Sequence, residues 1–188
     1  MMNRHDDRWA RLAAQRAPAW YLDRLTAQQK RESHLELVRT WMSGTSPGCV
    51  LKTDLFEEAY GQDDVLAQLL PDARLRIGMD VASATVFRSR ARYRDAALAF
   101  VVADVRRLPL QTASVDAVFS NSTLDHFRSA EEFTCAVSEL ARVLRPGGRM
   151  IITMDNTWNP LYWILRTASR LKLAPFELGY STSQPGLT

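Results

Sequence analysis

The sequence of 188 residues is poor in cysteine and histidine, with two of the first and three of the second, and it lacks long apolar runs. Cys49 and Cys135 lie in apolar surroundings without the spacing of metal ligands, so we interpret both as reduced core residues and predict no metal site. No stretch reaches the roughly 18 apolar residues of a membrane-spanning helix. The first 20 residues carry charges of both signs where a secretion signal would be apolar. These absences predict a cytoplasmic protein.

Excess charge of one sign is also small. The formal net charge is +3, and most of the cations are arginines, with a cluster at Arg88, Arg90, Arg92 and Arg94. A nucleic-acid-binding patch is one interpretation of this cluster. Aromatic residues do not interleave with these arginines as base stacking requires, so we favour a solvated helix face and disfavour a nucleic-acid partner.

The sequence pattern changes near Cys49. Before it, residues 6–43 carry apolar residues at helical spacing, with breaks predicted at Pro18 and at Thr26–Gln28. We therefore predict an N-terminal helical cap over residues 1–48 and one α/β domain over residues 49–188.

Short apolar segments alternate with helical patterns throughout the second part. Strand-then-helix repeats predict right-handed βαβ units and an open, mostly parallel sheet of about five strands with helices on both faces. The predicted strands are Cys49–Thr53, Leu75–Asp80, Ala99–Val102, Val115–Ser120 and Arg149–Met154, and the predicted helices are Asp63–Leu70, Ser83–Tyr93 and Glu131–Leu144.

Acidic side chains follow three of the predicted strands. Asp54, Asp80 and Asp104 come at the ends of the first three, and Ser120 and Asn121 end the fourth. Ligands of open parallel sheets bind beyond the carboxyl ends of the strands. A single Asp there would be an ordinary helix N-cap, but three on successive strands favour a shared ligand.

Four segments together resemble the class I S-adenosylmethionine-dependent methyltransferases. They are GMDVA (78–82), ADVRRLPL (103–110), VDAVFSNSTLDHF (115–127) and ARVLRPGGRMIIT (141–153), and the likeness spans roughly residues 49–156. The resemblance implies a three-layer Rossmann-like fold, S-adenosyl-L-methionine as the cofactor, and methyl transfer as the reaction.

The resemblance also implies roles for individual residues. Asp80 would accept hydrogen bonds from both ribose hydroxyls, Asp104 would accept one from the adenine amino group, and Val105 would offer its backbone N–H to a ring nitrogen. Apolar residues would line the adenine slot and polar ones would lie beside the reacting methyl group: Met79, Val81 and Leu108 in the first set, Ser120 and Asn121 in the second.

The end of the first strand departs from the family pattern. The family has a carboxylate and then a GxGxG loop, whose glycines let the backbone approach the cofactor; here Lys52 takes the acidic position, and Asp54, Phe56 and Glu58 take the glycine positions. In one interpretation, Asp54 or the Glu57 and Glu58 carboxylates reach the cationic groups of the cofactor from a more distant loop. In the other, the domain is a non-catalytic scaffold or partner-binding domain.

His126 is the candidate general base, because imidazole titrates near neutral pH, and Asp125 would orient it or cap the next helix. The alternative is that His126 packs under the cofactor without a proton role. The sequence SNST at 120–123 lacks the signature of amino-directed nucleic-acid methyltransferases, so we expect a small-molecule acceptor. A nicotinamide-dependent oxidoreductase remains an alternative, although its G-x-G-x-x-G fingerprint is absent.

Two further expectations concern the C-terminal part. Residues 159–173 are predicted to form an amphipathic helix that docks an apolar acceptor or contacts a membrane surface. No apolar strand follows the fifth one, so the antiparallel strands that end the family's sheet are predicted to be missing. An unpaired fifth strand would favour association, for example as a homodimer.

Overall fold

The computed structural model describes residues 24–44, 47–127 and 129–154, together with Thr167. Helices and strands alternate along these ranges after an initial helix. The helices are α1 (Arg24–Trp41), α2 (Phe56–Tyr60), α3 (Ser83–Arg92) and α4 (Ala130–Val143), with 3₁₀ turns at Leu66–Gln68 and Leu124–His126. The strands are β1 (Cys49–Thr53), β2 (Leu75–Asp80), β3 (Leu98–Val102), β4 (Val115–Asn121) and β5 (Leu144–Thr153).

The strands form one sheet in the order β3-β2-β1-β4-β5, and every neighbouring pair is parallel. The chain moves outward from β1 through β2 to β3 and then returns to place β4 on the other side of β1. Connections that diverge in this way open a crevice at the carboxyl ends of β1 and β4. The predicted parallel α/β sheet is thus confirmed.

Helices cover both faces of the sheet. Side chains alternate along a strand, so Val50 and Phe119 lie in a buried cluster under α1 and α3, whereas Leu51 and Val118 lie in a second cluster under α4. This confirms the predicted three layers and brings the carboxyl ends of all strands to one edge.

Helix α1 is continuous through Thr26–Gln28, and the predicted break there is wrong. Ala27 is fully buried, and the Gln28 side chain donates to Glu32 one turn later, so both residues suit a helix interior. Leu35 and Val38 pack into the same buried cluster as β1. The boundary at residue 48 between cap and domain stays a prediction, and residues 1–23 lie outside the described part.

Two other predicted elements differ from the structure. In place of a helix over Asp63–Leu70, only Leu66–Gln68 forms a 3₁₀ turn, and a left-handed backbone at Leu70 (φ 43°) precedes Pro71. Strand β5 begins at Leu144, five residues before the predicted start at Arg149. The ladder absorbs these extra residues as an irregularity, because Val115 pairs with Leu144 and Ala117 with Arg149.

Cys135 lies on the exposed side of α4, so its prediction as a core residue is wrong. The buried line of this helix runs through Ala136, Leu140 and Val143, and Cys135 is one position off that line. Cys49 is half-buried, and both cysteines are free. The predicted amphipathic helix at 159–173 and the question of further strands after β5 lie outside the described residues, apart from the exposed Thr167. None of the described helices is long and apolar enough to span a membrane.

A buried ion pair shapes the turn between β1 and α2. Lys52 on β1 is fully buried, and its Nζ donates to Glu58 Oε2 at 2.8 Å and to the carbonyl of Asp54. Glu58 Oε1 accepts from the backbone N–H groups of Val65 and Leu66 at 3.2 and 3.0 Å. Burial alone would lower the pKa of Lys52, but the Glu58 and Glu57 carboxylates raise it, so the ammonium is charged. Burial raises the pKa of Glu58, and the Lys52 ammonium beside it acts in the opposite direction.

We expect Lys52→Met to destabilise the fold by about 3–5 kcal/mol, because the Glu58 charge would stay buried without its partner. The double variant Lys52→Met/Glu58→Gln should recover most of this loss, since the glutamine amide would keep an oxygen for the two backbone donors. Urea unfolding of both single variants and the double variant measures the coupling. Losses that simply add would contradict the assignment.

Candidate active site

The three predicted aspartates follow adjacent strands at one edge of the sheet. Thr53 pairs with Met79 and Asp80 pairs with Val102, and the N–H of Ala103 donates to the Asp80 carbonyl at 3.0 Å. Asp54 therefore comes directly after the strand beside Asp80, and Asp104 comes two residues after the partner of Asp80.

Asp80 is held by the backbone on both sides. Its Oδ2 accepts from the N–H of Leu55 at 3.0 Å, and its Oδ1 accepts from the N–H of Ala82 at 2.8 Å. Val81 lies between Asp80 and Ala82 in the chain. Burial raises the pKa of Asp80 to about 6, although these two hydrogen bonds act in the opposite direction. Each oxygen keeps a second lone pair for another donor.

Asp54 occupies a left-handed backbone conformation, with φ at 67°. Its Oδ1 accepts from the N–H of Phe56 at 2.6 Å, a local turn that Asp supports without a glycine. Burial, then Glu57, then Asp80 raise the pKa of Asp54 well above its usual value. The ends of β1 and β2 thus carry carboxylates that repel each other, and a cation beside them would be stabilised.

Glu57 joins this group from the first turn of α2. Its Oε1 accepts from Lys30 Nζ at 3.0 Å and from Asn121 Nδ2 at 3.3 Å. Its Oε2 is buried without a hydrogen-bond donor and lies 3.7 Å from Lys52 Nζ. Burial would raise the pKa of Glu57, but the Lys52 and Lys30 ammonium groups overcome this and lower it to about 2. The carboxylate is therefore charged and has one acceptor atom to offer.

Glu58, the fourth acidic residue predicted to contact a cofactor, has different surroundings. It is fully buried, and its two oxygens accept from Lys52 and from the backbone of the Leu66–Gln68 turn. Direct contact of Glu58 with a ligand stays a prediction that these internal bonds disfavour. Glu58 orients the loop that carries Glu57.

Two arginines of α3 fasten the same loop. Arg88 Nε donates to the carbonyl of Ala59 at 2.9 Å, and Arg92 donates to the carbonyls of Glu58 and Gly61 at 2.7 and 3.2 Å. Arg88, Arg90 and Arg92 are all exposed, as the predicted solvated face requires, and Arg88 and Arg92 in addition bind the C-terminal carbonyls of α2.

The end of β4 is fixed by hydrogen bonds to its neighbours. Asn121 is buried; its Oδ1 accepts from Thr153 Oγ1 at 2.8 Å while its Nδ2 faces Glu57. Thr53 Oγ1 donates to Ser120 Oγ at 2.8 Å and lies 2.6 Å from Thr123 Oγ1. This hydroxyl chain joins the end of β1 to the Leu124–His126 turn. Asp125 is buried and His126 half-buried in that turn, next to the end of β4.

Arg106 orients Asp104 at the end of β3. The Asp104 carboxylate accepts from the backbone N–H of Arg106 at 2.9 Å and from its guanidinium at 2.6 Å. The same guanidinium pairs with Glu132 and lies 5.5 Å over the ring of Phe127. Val105 is buried between these residues in the chain, and Leu108 is buried nearby in the sequence. Asp104 is thus held in one orientation at the rim of the sheet.

Sequence reasoning missed two members of this site. Arg106 belongs to a quoted motif, but nothing in the sequence indicated that it binds Asp104. Lys30 lies one turn after Ala27 on the buried face of α1, and a charge at such a position indicates a buried partner. No group of three metal-ligating side chains occurs within the described ranges.

Comparison with known proteins places this geometry in a family. The model of the methyltransferase domain family matches residues 59–152, which is half of the 188 residues. A protein of Mycolicibacterium smegmatis, named a probable S-adenosylmethionine-dependent methyltransferase, is 39% identical over 106 residues, covering 55% of this chain and 37% of that protein. Demethylmenaquinone methyltransferase of Beutenbergia cavernae is 34% identical over 104 residues, covering 54% and 41%. The chain therefore spans less than half the length of these relatives.

A solved structure agrees with the fold. The N-methyltransferase NodS of Bradyrhizobium japonicum, in complex with S-adenosyl-L-homocysteine, superposes with a TM-score of 0.62 at 19% identity, covering 79% of this chain and 71% of that one. This likeness confirms the predicted Rossmann-like fold. With the family model and the named relatives, it shows that the chain belongs to the methyltransferase domain family, within the class I S-adenosylmethionine-dependent methyltransferases.

Proposed function

We propose that this chain binds S-adenosylmethionine at the carboxyl ends of β1 to β4 and transfers its methyl group to a small-molecule acceptor. The observation that carries the proposal is the set of interacting carboxylates Asp54, Glu57 and Asp80 from neighbouring elements. Their mutual repulsion would be relieved by a cation. The cofactor has two cationic groups, a sulfonium and an ammonium, and so matches the sign of the site.

The donor and acceptor set fits the cofactor without a glycine loop. Glu57 Oε2 is a buried acceptor without a donor, which is the partner that an ammonium group needs. The remaining lone pairs of the Asp80 oxygens suit the two ribose hydroxyls. Asp54 lies beside them, and a bound cation would favour its charged form. Side-chain carboxylates would thus replace the close backbone approach of the usual loop, which is the first of our two interpretations.

The adenine end is assigned to the residues that follow β2 and β3. Asp104 would accept from the adenine amino group, and Arg106 supports this role by holding the carboxylate in one orientation. Val105 would donate its backbone N–H to a ring nitrogen. The buried Met79 and Leu108, with Val81, would enclose the base.

The chain's contribution to catalysis is alignment and proton removal. The bound cofactor supplies a methyl group that the sulfonium has already activated. Ser120 and the fixed amide of Asn121 would define the space in which the acceptor meets that methyl group. His126 would take a proton from the acceptor, with Asp125 as its orienting residue. The demethylmenaquinone methyltransferase relative is named for a small-molecule acceptor, which supports an acceptor of this class here.

We expect calorimetry to detect S-adenosylmethionine binding in the micromolar range, and Asp80→Ala to weaken it at least about 30-fold, through loss of two hydrogen bonds to a charged acceptor. Asp80→Asn tests the charge with less disturbance of Leu55 and Ala82. Asp72→Ala removes an exposed carboxylate and serves as the matched control. No heat of binding to folded wild-type protein would contradict the proposal and favour a non-catalytic scaffold.

Binding should weaken as the pH falls from 7.5 to 5.5. The pKa of Asp80 is raised to about 6 in the folded protein, above its ordinary value, so the folded state holds a proton that the unfolded chain releases between about pH 4 and 6. Asp80 therefore destabilises the free protein as the pH rises through this window, and a bound cation reverses this by favouring the charged form.

Calorimetry at pH 6 in two buffers of different ionisation enthalpy measures this linkage. We expect net proton release when the ligand binds, and up to about tenfold loss of affinity per pH unit below 6 for each linked proton. Net proton uptake, or an affinity that is flat over this range, would contradict a charged Asp80 in the complex.

His126→Asn should slow methyl transfer by roughly 10²-fold or more if the imidazole is the general base. The measurement is the initial rate of labelled methyl transfer from S-adenosylmethionine into components of a cell extract. The dissociation constant of S-adenosylmethionine serves as the internal control and should change little. A weakened cofactor affinity with an unchanged rate would instead support packing of His126 under the cofactor.

A further inference from the structure

Lys30 brings the one accessible ammonium of the described residues to the Glu57 carboxylate. Its Nζ lies 3.0 Å from Glu57 Oε1 and 2.9 Å from Asp63 Oδ2, and its side chain is one-third exposed. Burial would lower the pKa of Lys30, but Glu57 and Asp63 raise it above its usual value. An ammonium has three N–H donors, and these two carboxylates use two of them.

The buried acceptor atom of Glu57 would fix the position of the ligand's ammonium group. Glu57 Oε2 is without a hydrogen-bond donor, and its side chain is about nine-tenths buried. When the ammonium group of a ligand binds this atom, the atoms next to that group must lie close to Glu57. In an α-amino acid, the carboxylate carbon lies only about 2.5 Å from the amino nitrogen. The carboxylate of such a ligand therefore lies among the groups that already surround Glu57.

Among the described residues, Lys52 and Lys30 are the two cations whose charges act on Glu57. Lys52 is fully buried and is committed to Glu58 and to the Asp54 carbonyl. His34, one turn after Lys30 on α1, packs edge-on against Phe119, and burial and the Lys30 charge lower its pKa, which keeps it neutral. Lys30 is thus the cation with both a spare donor and access to solvent.

We propose that Lys30 recognises the free carboxylate at the amino-acid end of the cofactor while Glu57 accepts the neighbouring ammonium, so that α1 selects an intact α-amino acid zwitterion. The inference rests on the proposed function, because it assigns a second contact at the same site. It makes Lys30 a specificity residue carried by the N-terminal helix. Opposite charges would then alternate from Glu57 through the ligand to Lys30, which is favourable at short range in a partly buried site.

Decarboxylated S-adenosylmethionine is the probe that isolates this contact. It keeps the adenosyl, sulfonium and ammonium groups and lacks the carboxylate alone. We expect the wild-type protein to bind S-adenosylmethionine about 10- to 100-fold more tightly than the decarboxylated compound, as a charge-assisted hydrogen bond predicts. Lys30→Gln should reduce this ratio to near one by weakening the binding of S-adenosylmethionine only. Lys30→Arg, which keeps the charge, should retain most of the selectivity.

The ratio of the two dissociation constants is the readout, measured by calorimetry on variants whose unfolding temperature shows that they are folded. Arg39→Gln removes an exposed cation from the same helix and should leave the ratio unchanged. A merely structural Lys30 would give equal losses for both compounds, and a Lys30 that competes with the ligand ammonium would give tighter binding of both in Lys30→Gln. Either result overturns the inference.

The test separates this inference from the proposed function. If folded wild-type protein binds neither compound, the proposed cofactor site fails as a whole. If it binds both and Lys30→Gln leaves their ratio as in the wild type, the cofactor site stands and the role of Lys30 is wrong.

Discussion

The arrangement of the site depends on one buried ammonium, that of Lys52. A lysine inside a parallel strand cannot be solvated, so its charge has to be matched within the protein. Glu58 matches it directly, and in doing so draws the chain after β1 back against the strand and binds the Leu66–Gln68 turn. Glu57 then lies between Lys52, Lys30 and Asn121. The buried lysine of the strand and the acidic loop that follows it are therefore matched in charge.

The pairing of Lys52 with Glu58 holds the loop after β1 in place without the family's glycines. Glycines serve to bring backbone N–H groups close to a ligand, whereas here those positions carry Asp54, Phe56 and Glu58. The left-handed conformation survives at Asp54, because its own side chain accepts from Phe56 N–H. Backbone donors suit anionic groups, whereas the carboxylates of this loop suit the cationic groups of the proposed ligand. The arginines of α3 fix the position of this acidic loop by binding its carbonyl groups.

The strand-and-helix pattern predicted the sheet well, because each strand is a short apolar run whose buried faces are set by period-two alternation. The predicted strands also gave the positions of the strand ends, and these identified Asp54, Asp80 and Asp104 as residues at one edge of the sheet. What the pattern could not give was the partner of each charge. Nothing in the sequence indicated that Glu58 accepts from Lys52, or that the exposed Arg92 also donates to the carbonyl of Glu58. Such pairings depend on distances between residues far apart in the chain, which periodicity does not encode.

Helix α1 contributes Lys30 to the candidate site beside Glu57. Ala27, Leu35 and Val38 fix α1 on the sheet, because they are buried in one cluster with residues of β1 and β4. Lys30 lies on this same inward face, so its ammonium is positioned by apolar packing several residues away. An element that shares the core of the sheet cannot swing aside without loss of that packing. If Lys30 has the proposed role, α1 forms a fixed wall at the amino-acid end of the cofactor site, and selectivity there depends on the stability of this helix.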